Sequence, residues 1–145
     1  MKNEATKFLF VDDDIVCAIK FKRFLSESEF GNLVVTASDG VEALEILRGD
    51  AGREKLEHPY MVILDINMPR MDGFEFLETL RQDPDLKDTV VFIMTTSGDP
   101  TDMDTALIRG ADGYFPKNQT DIGFLQAIAT SKSLKEPEIT HYTRN

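Results

Sequence analysis

Side chains able to hold a hard cation and handle a phosphoryl group recur at a few places in this chain. Asp12, Asp13 and Asp14 stand in a row, Asp65 is followed two residues on by Asn67, Thr95 precedes Thr96, and Lys117 lies near the end. Carboxylates that converge repel one another, so either some keep their protons or a cation neutralises them. Magnesium suits such a set, because it favours oxygen ligands in octahedral array and takes one or two carboxylates beside its waters. One carboxylate oxygen of Asp65 is then left to attack phosphorus and form an aspartyl phosphate. Lys117 and the Thr95 hydroxyl have the right character to hold the equatorial oxygens of the transferred group.

Each of these residues has a plainer role when taken singly. The acidic triplet can cap a helix, Asp65 can serve a turn before Met68-Pro69, Thr95 can be an ordinary strand residue, and Lys117 an exposed base. What brings them together is the pattern of elements around them. Short apolar runs, Phe8 to Val11, Leu33 to Ala37, Met61 to Leu64, Val90 to Met94 and Gly113 to Phe115, alternate with amphipathic stretches. That is the pattern of parallel strands covered by helices on both faces. The first helix aligns Cys17, Phe21 and Phe24 beside Leu25, the second Val41, Leu44 and Leu47, the third Phe74, Leu77 and Leu80. Asp99 can cap a fourth with Pro100 in its first turn, turning Met103, Ala106 and Leu107 inward. Leu125, Ile128 and Ala129 mark a fifth.

Five strand-helix units predict an α/β fold, a doubly wound parallel sheet of flavodoxin-like (βα)5 type with strand order 2-1-3-4-5. Ligands of such sheets bind outside the carboxyl ends of the strands, at the crevice between strands one and three. Asp12 to Asp14, Asp65, Thr95 and Lys117 each follow or end a strand, so all fall on that one edge. Residues 49–59 read as an extended loop or an extra helical turn. The expected layout is one domain over residues 1–132 and a short polar tail over 133–145, partly disordered and with no effector domain after it.

The segments FLFVDDD, MVILDINMPRMDGFEFL, FIMTTS and GADGYFPK resemble, in order and spacing, the signature segments of receiver domains in two-component response regulators. The resemblance runs from about Lys7 to about Ala129. It implies that Asp65 is the phosphoacceptor and that Asp12, Asp13, Asp65 and the Asn67 backbone carbonyl surround Mg2+. It implies that Lys117 bridges to the phosphoryl group and that Thr95 and Tyr114 switch together. Asn67 and Ser97 would set how long the phosphoryl group persists. The chain departs from the family pattern after the lysine, where Asn118 stands in place of proline and Pro116 precedes. The Lys117 to Asn118 bond is expected to be trans, since a non-proline cis bond costs roughly 2.5 to 4 kcal/mol.

The implied partners are a sensor histidine kinase, of phytochrome or chemotaxis type, and a downstream protein. The latter would dock on the face of the fourth helix, fifth strand and fifth helix, with Ile108, Arg109, Tyr114 and Phe124 as contacts, and the same face could support a homodimer. Two other readings stay open. Asp12 to Val16 also fits the Asp-x-Asp-x-Val nucleophile motif of haloacid-dehalogenase-type phosphohydrolases, and a binding module that is never phosphorylated would use the same fold.

Composition narrows the field. Twenty-six acids against sixteen bases give a net charge of −10, which repels a phosphate backbone and argues against nucleic-acid binding. The first residues lack the apolar run of about 20 that a membrane span needs, so a cytoplasmic location is expected. Cys17 is the single cysteine and reads as a core residue; His58 and His141 read as solvent-exposed.

Overall fold

The structure, a computed structural model, describes residues 7–26, 34–57, 60–66, 68, 71–95 and 99–116. Nine elements alternate along it: β1 (Lys7–Val11), α1 (Ile15–Ser26), β2 (Val34–Ala37), α2 (Gly40–Arg48), β3 (Tyr60–Leu64), α3 (Gly73–Gln82), β4 (Val91–Thr95), α4 (Pro100–Ile108) and β5 (Gly113–Pro116). The strands form one parallel sheet in the order β2-β1-β3-β4-β5, as the alternation of apolar runs and helices predicts. The stretch expected to form the fifth helix, with Leu125, Ile128 and Ala129, and the tail from 133 onward lie outside the described residues.

Apart from Lys7, Thr36 and Thr95 the strands carry no polar side chain but the Tyr60 and Tyr114 hydroxyls, as suits a sheet packed on both faces. On one face Leu9, Val11, Val62, Leu64, Val91, Ile93 and Tyr114 meet Ala43, Leu47, Phe76, Leu77, Leu80 and Ala106 from α2, α3 and α4. On the other, Phe8, Phe10, Met61, Ile63, Phe92, Met94 and Phe115 pack with Ala18 and Phe21 of α1. This second face is largely aromatic. Phe21 stacks on Phe10 at 4.6 Å between centroids and meets Phe8 edge-on at 6.0 Å. Each such ring contributes roughly 1.5 to 3 kcal/mol by burial.

Several stripe residues read from the sequence sit at the margin of the core. Cys17, Phe24, Val41, Phe74, Met103 and Leu107 are half-buried, whereas Phe76, Ala43 and Ile46 go fully inside. A helix lying on a twisted sheet buries a wider arc than one line of side chains, and the centre of that arc is set by its neighbours. Caps, by contrast, fall as expected: Asp99 accepts from Thr101 N–H with Pro100 opening α4.

Residues 49–57 form a turn and an extended segment with no added helix. Gly49 ends α2 in the left-handed region at φ 77°, and the chain then folds back so that Leu56 N–H donates to the Ile46 carbonyl at 3.0 Å. Leu56 is buried, and the Lys7 ammonium donates to the Glu57 carbonyl at 2.7 Å. His58 lies outside the described residues. Below this segment, at the amino edge of the sheet, a cavity of about 320 Å³ is lined by Leu47, Leu56, Tyr60 and Leu86 among others, far along β3 from the carboxyl edge.

Arg53 ties the segment to α2 through Glu42 at 3.0 Å and Glu45 at 3.2 Å. Glu42 also accepts from the Ser38 N–H and hydroxyl, each at 2.8 Å. The Ser38 N–H above all, then the Ser38 hydroxyl and Arg53, hold the Glu42 carboxyl below the ordinary glutamate value of 4.5. A depressed folded pKa adds stability that is present above the unfolded value and lost as pH falls through the folded one. Glu42→Gln is therefore expected to cost about 1 kcal/mol at neutral pH and to remove part of the acid-side loss. Urea denaturation of both proteins at neutral and acid pH measures it.

Candidate functional site

Strand register builds the site. Val11 pairs with Leu64 across β1 and β3, so the residues that follow, Asp12 and Asp65, emerge side by side at the carboxyl edge. The backbone continues the ladder for one step on each strand: Asp65 N–H donates to the Val11 carbonyl and Asp12 N–H to the Ala37 carbonyl, both at 2.9 Å. This fixes both Cα positions before any side-chain contact is made.

One carboxylate oxygen from each of Asp12, Asp13 and Asp65 lies within 4.8 Å of the others. Asp12 and Asp65 are each only 6% exposed, while Asp13 faces solvent. Two shielded carboxylates and one open one, all oxygen donors, fit a small hard divalent cation that keeps part of its water shell. The donor set fits magnesium in chemistry and in number, and Asp12, Asp13 and Asp65 are the residues that would hold it.

The acidic triplet is divided between two tasks. Asp14 is the helix cap: its Oδ1 accepts from Val16 N–H at 2.9 Å and Cys17 N–H at 3.4 Å, and Cys17 Sγ donates to its Oδ2 at 3.3 Å. The capping role thus holds for the third member of the triplet, while the first two share the cluster with Asp65. Asp14, the second acid of the Asp-x-Asp reading, is committed to α1, and Asp13 takes the place in the cluster.

Asp65 opens the segment that runs to α3. Gly73 lets the start of α3 come close: a Cβ there would lie 2.6 Å from the Asp65 carbonyl oxygen and 2.6 Å from Ile66 Cα. Gly73 N–H donates to the Ile66 carbonyl at 3.1 Å. Asp72 then closes a capping box, accepting from Glu75 N–H while Glu75 accepts from Asp72 N–H. Reading the sequence for chemistry passes over Gly73, yet glycine in the first turn of a helix, where it has no propensity advantage, is the signal that marks it.

Thr95 ends β4 and pairs with Pro116 of β5, at the same edge as Asp65; its side chain, together with Asn67, Thr96, Ser97, Lys117, the Lys117 to Asn118 bond and Phe124, lies outside what is described. Pro116 sits on an edge strand, where its missing N–H is tolerated. Tyr114 is 4% exposed and packs with Ile93, Ala106 and Ala111 beneath α4. Ile108 is 83% exposed at the end of α4. Beside it Arg109 pairs with Glu78 at 3.3 Å and lies 5.7 Å from the Phe74 ring centre.

A five-stranded parallel sheet with this order and an aspartate cluster at the β1/β3 switch point is the architecture of receiver domains. The chain belongs to the response regulator receiver domain family, which it matches over residues 8–129. It is a receiver domain of phosphorelay signalling. It is 39% identical over 119 residues to the probable transcriptional regulator ycf27 of Cyanophora paradoxa, covering 81% of this chain and 44% of that one. It is 36% identical over 111 residues to the response regulator MprA of Mycobacterium leprae (strain TN), covering 77% and 44%. The chain thus spans less than half the length of these curated relatives.

Among solved structures, it resembles the Mn(2+)-bound form of response regulator Rcp1 at 25% identity and a TM-score of 0.72, over 92% of this chain and 95% of that one. It also resembles the phosphorylated cyanobacterial phytochrome response regulator RcpA, at 26% identity and a TM-score of 0.73, over 92% and 93%. Receiver domains interact with histidine kinases. Among the described residues, no helix is long and apolar enough to cross a membrane.

Proposed function

We propose that this chain accepts a phosphoryl group on Asp65 from a histidine kinase, with Mg2+ held by Asp12, Asp13, Asp65 and the Asn67 carbonyl. One observation carries the reading: three carboxylates within 4.8 Å at the carboxyl edge, two of them shielded, on strands whose register fixes them there. A carboxylate oxygen of Asp65 forms the new bond to phosphorus as the bond to the donor imidazole nitrogen breaks, and the imidazole leaves with its electron pair and takes up a proton. Bound magnesium supplies positive charge that offsets the crowding of the carboxylates and of the transferred oxygens. Lys117 and the Thr95 hydroxyl share that task. Water later cleaves the acyl phosphate, with Asn67 and Ser97 flanking its path. The chain assists its own phosphorylation and dephosphorylation and turns over no external substrate.

Thr95 and Tyr114 serve as the switch: the hydroxyl moves to the phosphoryl oxygen and the ring occupies the space behind it. The inward Tyr114 ring, packed beneath α4, supports this role. Output passes through protein contact at α4, β5 and the expected fifth helix, where Ile108 and Arg109 stand exposed, and phosphorylation promotes a symmetric dimer through the same face. A phytochrome-type kinase is favoured as donor, since Rcp1-like and phytochrome-partner regulators share the fold over nearly the full chain. The location is the cytoplasm, where such kinases present their phosphohistidine.

The test is exposure of the protein to acetyl phosphate with and without Mg2+, followed by borohydride trapping and peptide mass spectrometry. Magnesium-dependent modification of the peptide bearing Asp65 is expected. Label on Asp12, or steady hydrolysis of phosphomonoesters, would overturn the assignment.

A further inference from the structure

α2 supplies no ligand to the carboxylate cluster, yet its first residue touches the segment that follows Asp65. Gly40, the first residue of α2, donates its N–H to the Met71 carbonyl at 3.2 Å. Its missing side chain leaves the space in which Met71 lies: a Cβ at Gly40 would stand 2.8 Å from Met71 Cγ, 2.8 Å from its Sδ and 3.1 Å from its Cβ. The φ of Gly40 is not in the left-handed region, so backbone freedom does not account for glycine at this place. Close approach does.

The start of α2 is itself firmly held. Asp39 is buried and caps the helix, accepting from Glu42 N–H at 2.9 Å, while Glu42 grips Ser38 and is gripped by Arg53. Gly40 is therefore a fixed post. The segment from Asp65 to Gly73 is closed at its far end by Gly73 against Asp65 and Ile66, and Met71 meets the post from within the segment. Between these two contacts lies Asn67, and its first residue is the phosphoacceptor.

We propose that Gly40 and Met71 form a latch that positions the Asp65–Gly73 segment, so that an element outside the site sets the geometry of the metal ligands and of the acceptor carboxylate. The inference rests on Asp65 as phosphoacceptor. Gly40 and Met71 are positioning residues: neither touches the reacting atoms, and they act through the backbone that bears them. Groups that orient metal ligands in this way typically change metal affinity or activity by about 10 to 100-fold when lost, because a shift near 1 Å in a reacting group is already costly.

The experiment is a cycle of Gly40→Ala, Met71→Ala and the double variant. Its readouts are backbone amide resonances of the metal-free protein, Mg2+ affinity by calorimetry, and the rate of phosphorylation by acetyl phosphate. Gly40→Ala is expected to shift the amides of residues 65–73, and to weaken Mg2+ binding and slow labelling by roughly tenfold, in a protein that still unfolds cooperatively. In the Met71→Ala background, where Cγ and Sδ are gone, Gly40→Ala should cause little further change. Unshifted amides and unchanged Mg2+ affinity in Gly40→Ala would overturn the latch, and so would losses that simply add in the double variant. If Gly40→Ala does not fold, Gly40→Ser with Met71→Ala supplies the same comparison: Mg2+ affinity matching that of Met71→Ala alone supports the latch, and a further loss beyond Met71→Ala overturns it. A wild-type protein that takes no label on Asp65 would instead sink the acceptor assignment and leave the amide shifts as the measure of the latch.

Discussion

Asp65→Asn is expected to take up no phosphoryl group from acetyl phosphate or from a kinase, and its metal-free form is expected to be more stable than the wild type. The first outcome follows because an amide oxygen is too weak a nucleophile to form the acyl phosphate. The second follows from the cluster itself. Three carboxylates with oxygens inside 4.8 Å and two of them shielded repel one another through a medium less screening than water. At such separations one like-charge contact is worth on the order of 1 kcal/mol or more. Removing the charge at 65 relieves two such contacts while keeping the side-chain shape. In the wild type the same repulsion is relieved by binding Mg2+, which stabilises the folded state by mass action. Saturating Mg2+ should therefore raise the urea midpoint of the wild type and move that of Asp65→Asn much less. Retained labelling in the variant, or equal midpoints without metal, would contradict the assignment.

Arg81→Met is expected to cost about 3 kcal/mol in urea denaturation, the largest single loss foreseen outside the aromatic core. The Arg81 guanidinium, at the end of α3, donates to the Gly110 carbonyl at 2.7 and 3.1 Å and to the Lys87 and Thr89 carbonyls at 2.7 Å each. It also meets Asp112 Oδ2 at 3.2 Å, an oxygen that accepts from Val91 N–H at 2.9 Å. Methionine fills most of the space but leaves three carbonyls and a part-buried carboxylate without their donor. Gly110 explains why the arginine fits: it adopts φ 109°, and a Cβ there would stand 2.8 Å from Arg81 Nε. Arg81→Lys should recover only part of the loss, because an ammonium cannot span acceptors arranged around a planar fork. A cost below about 1 kcal/mol for Arg81→Met would show that water replaces the guanidinium without penalty.

Arg81 also marks where reading the chain stops being enough. Its four acceptor groups come from the turn before β4 and the turn before β5, and nothing in the local sequence of residue 81 announces them. Asp99, in contrast, is visible as a cap, since a cap acts on N–H groups two or three residues away. The alternation of Leu9 and Val11 with Phe8 and Phe10 was legible as a strand, but which face the phenylalanines would take was not. A buried strand has no polar side to orient it.

The order and type of the described elements, the strand ends to within one residue and the positions of Asp12, Asp13 and Asp65 follow from the sequence, because propensity, period and capping act over a few residues. Tertiary structure alone decided that Asp14 would leave the cluster to cap α1, that Met71 would ride over Gly40, and that Arg81 would join the turns before β4 and β5. Those outcomes depend on distances between segments far apart in the chain, which strand register and close packing fix only once the sheet has formed.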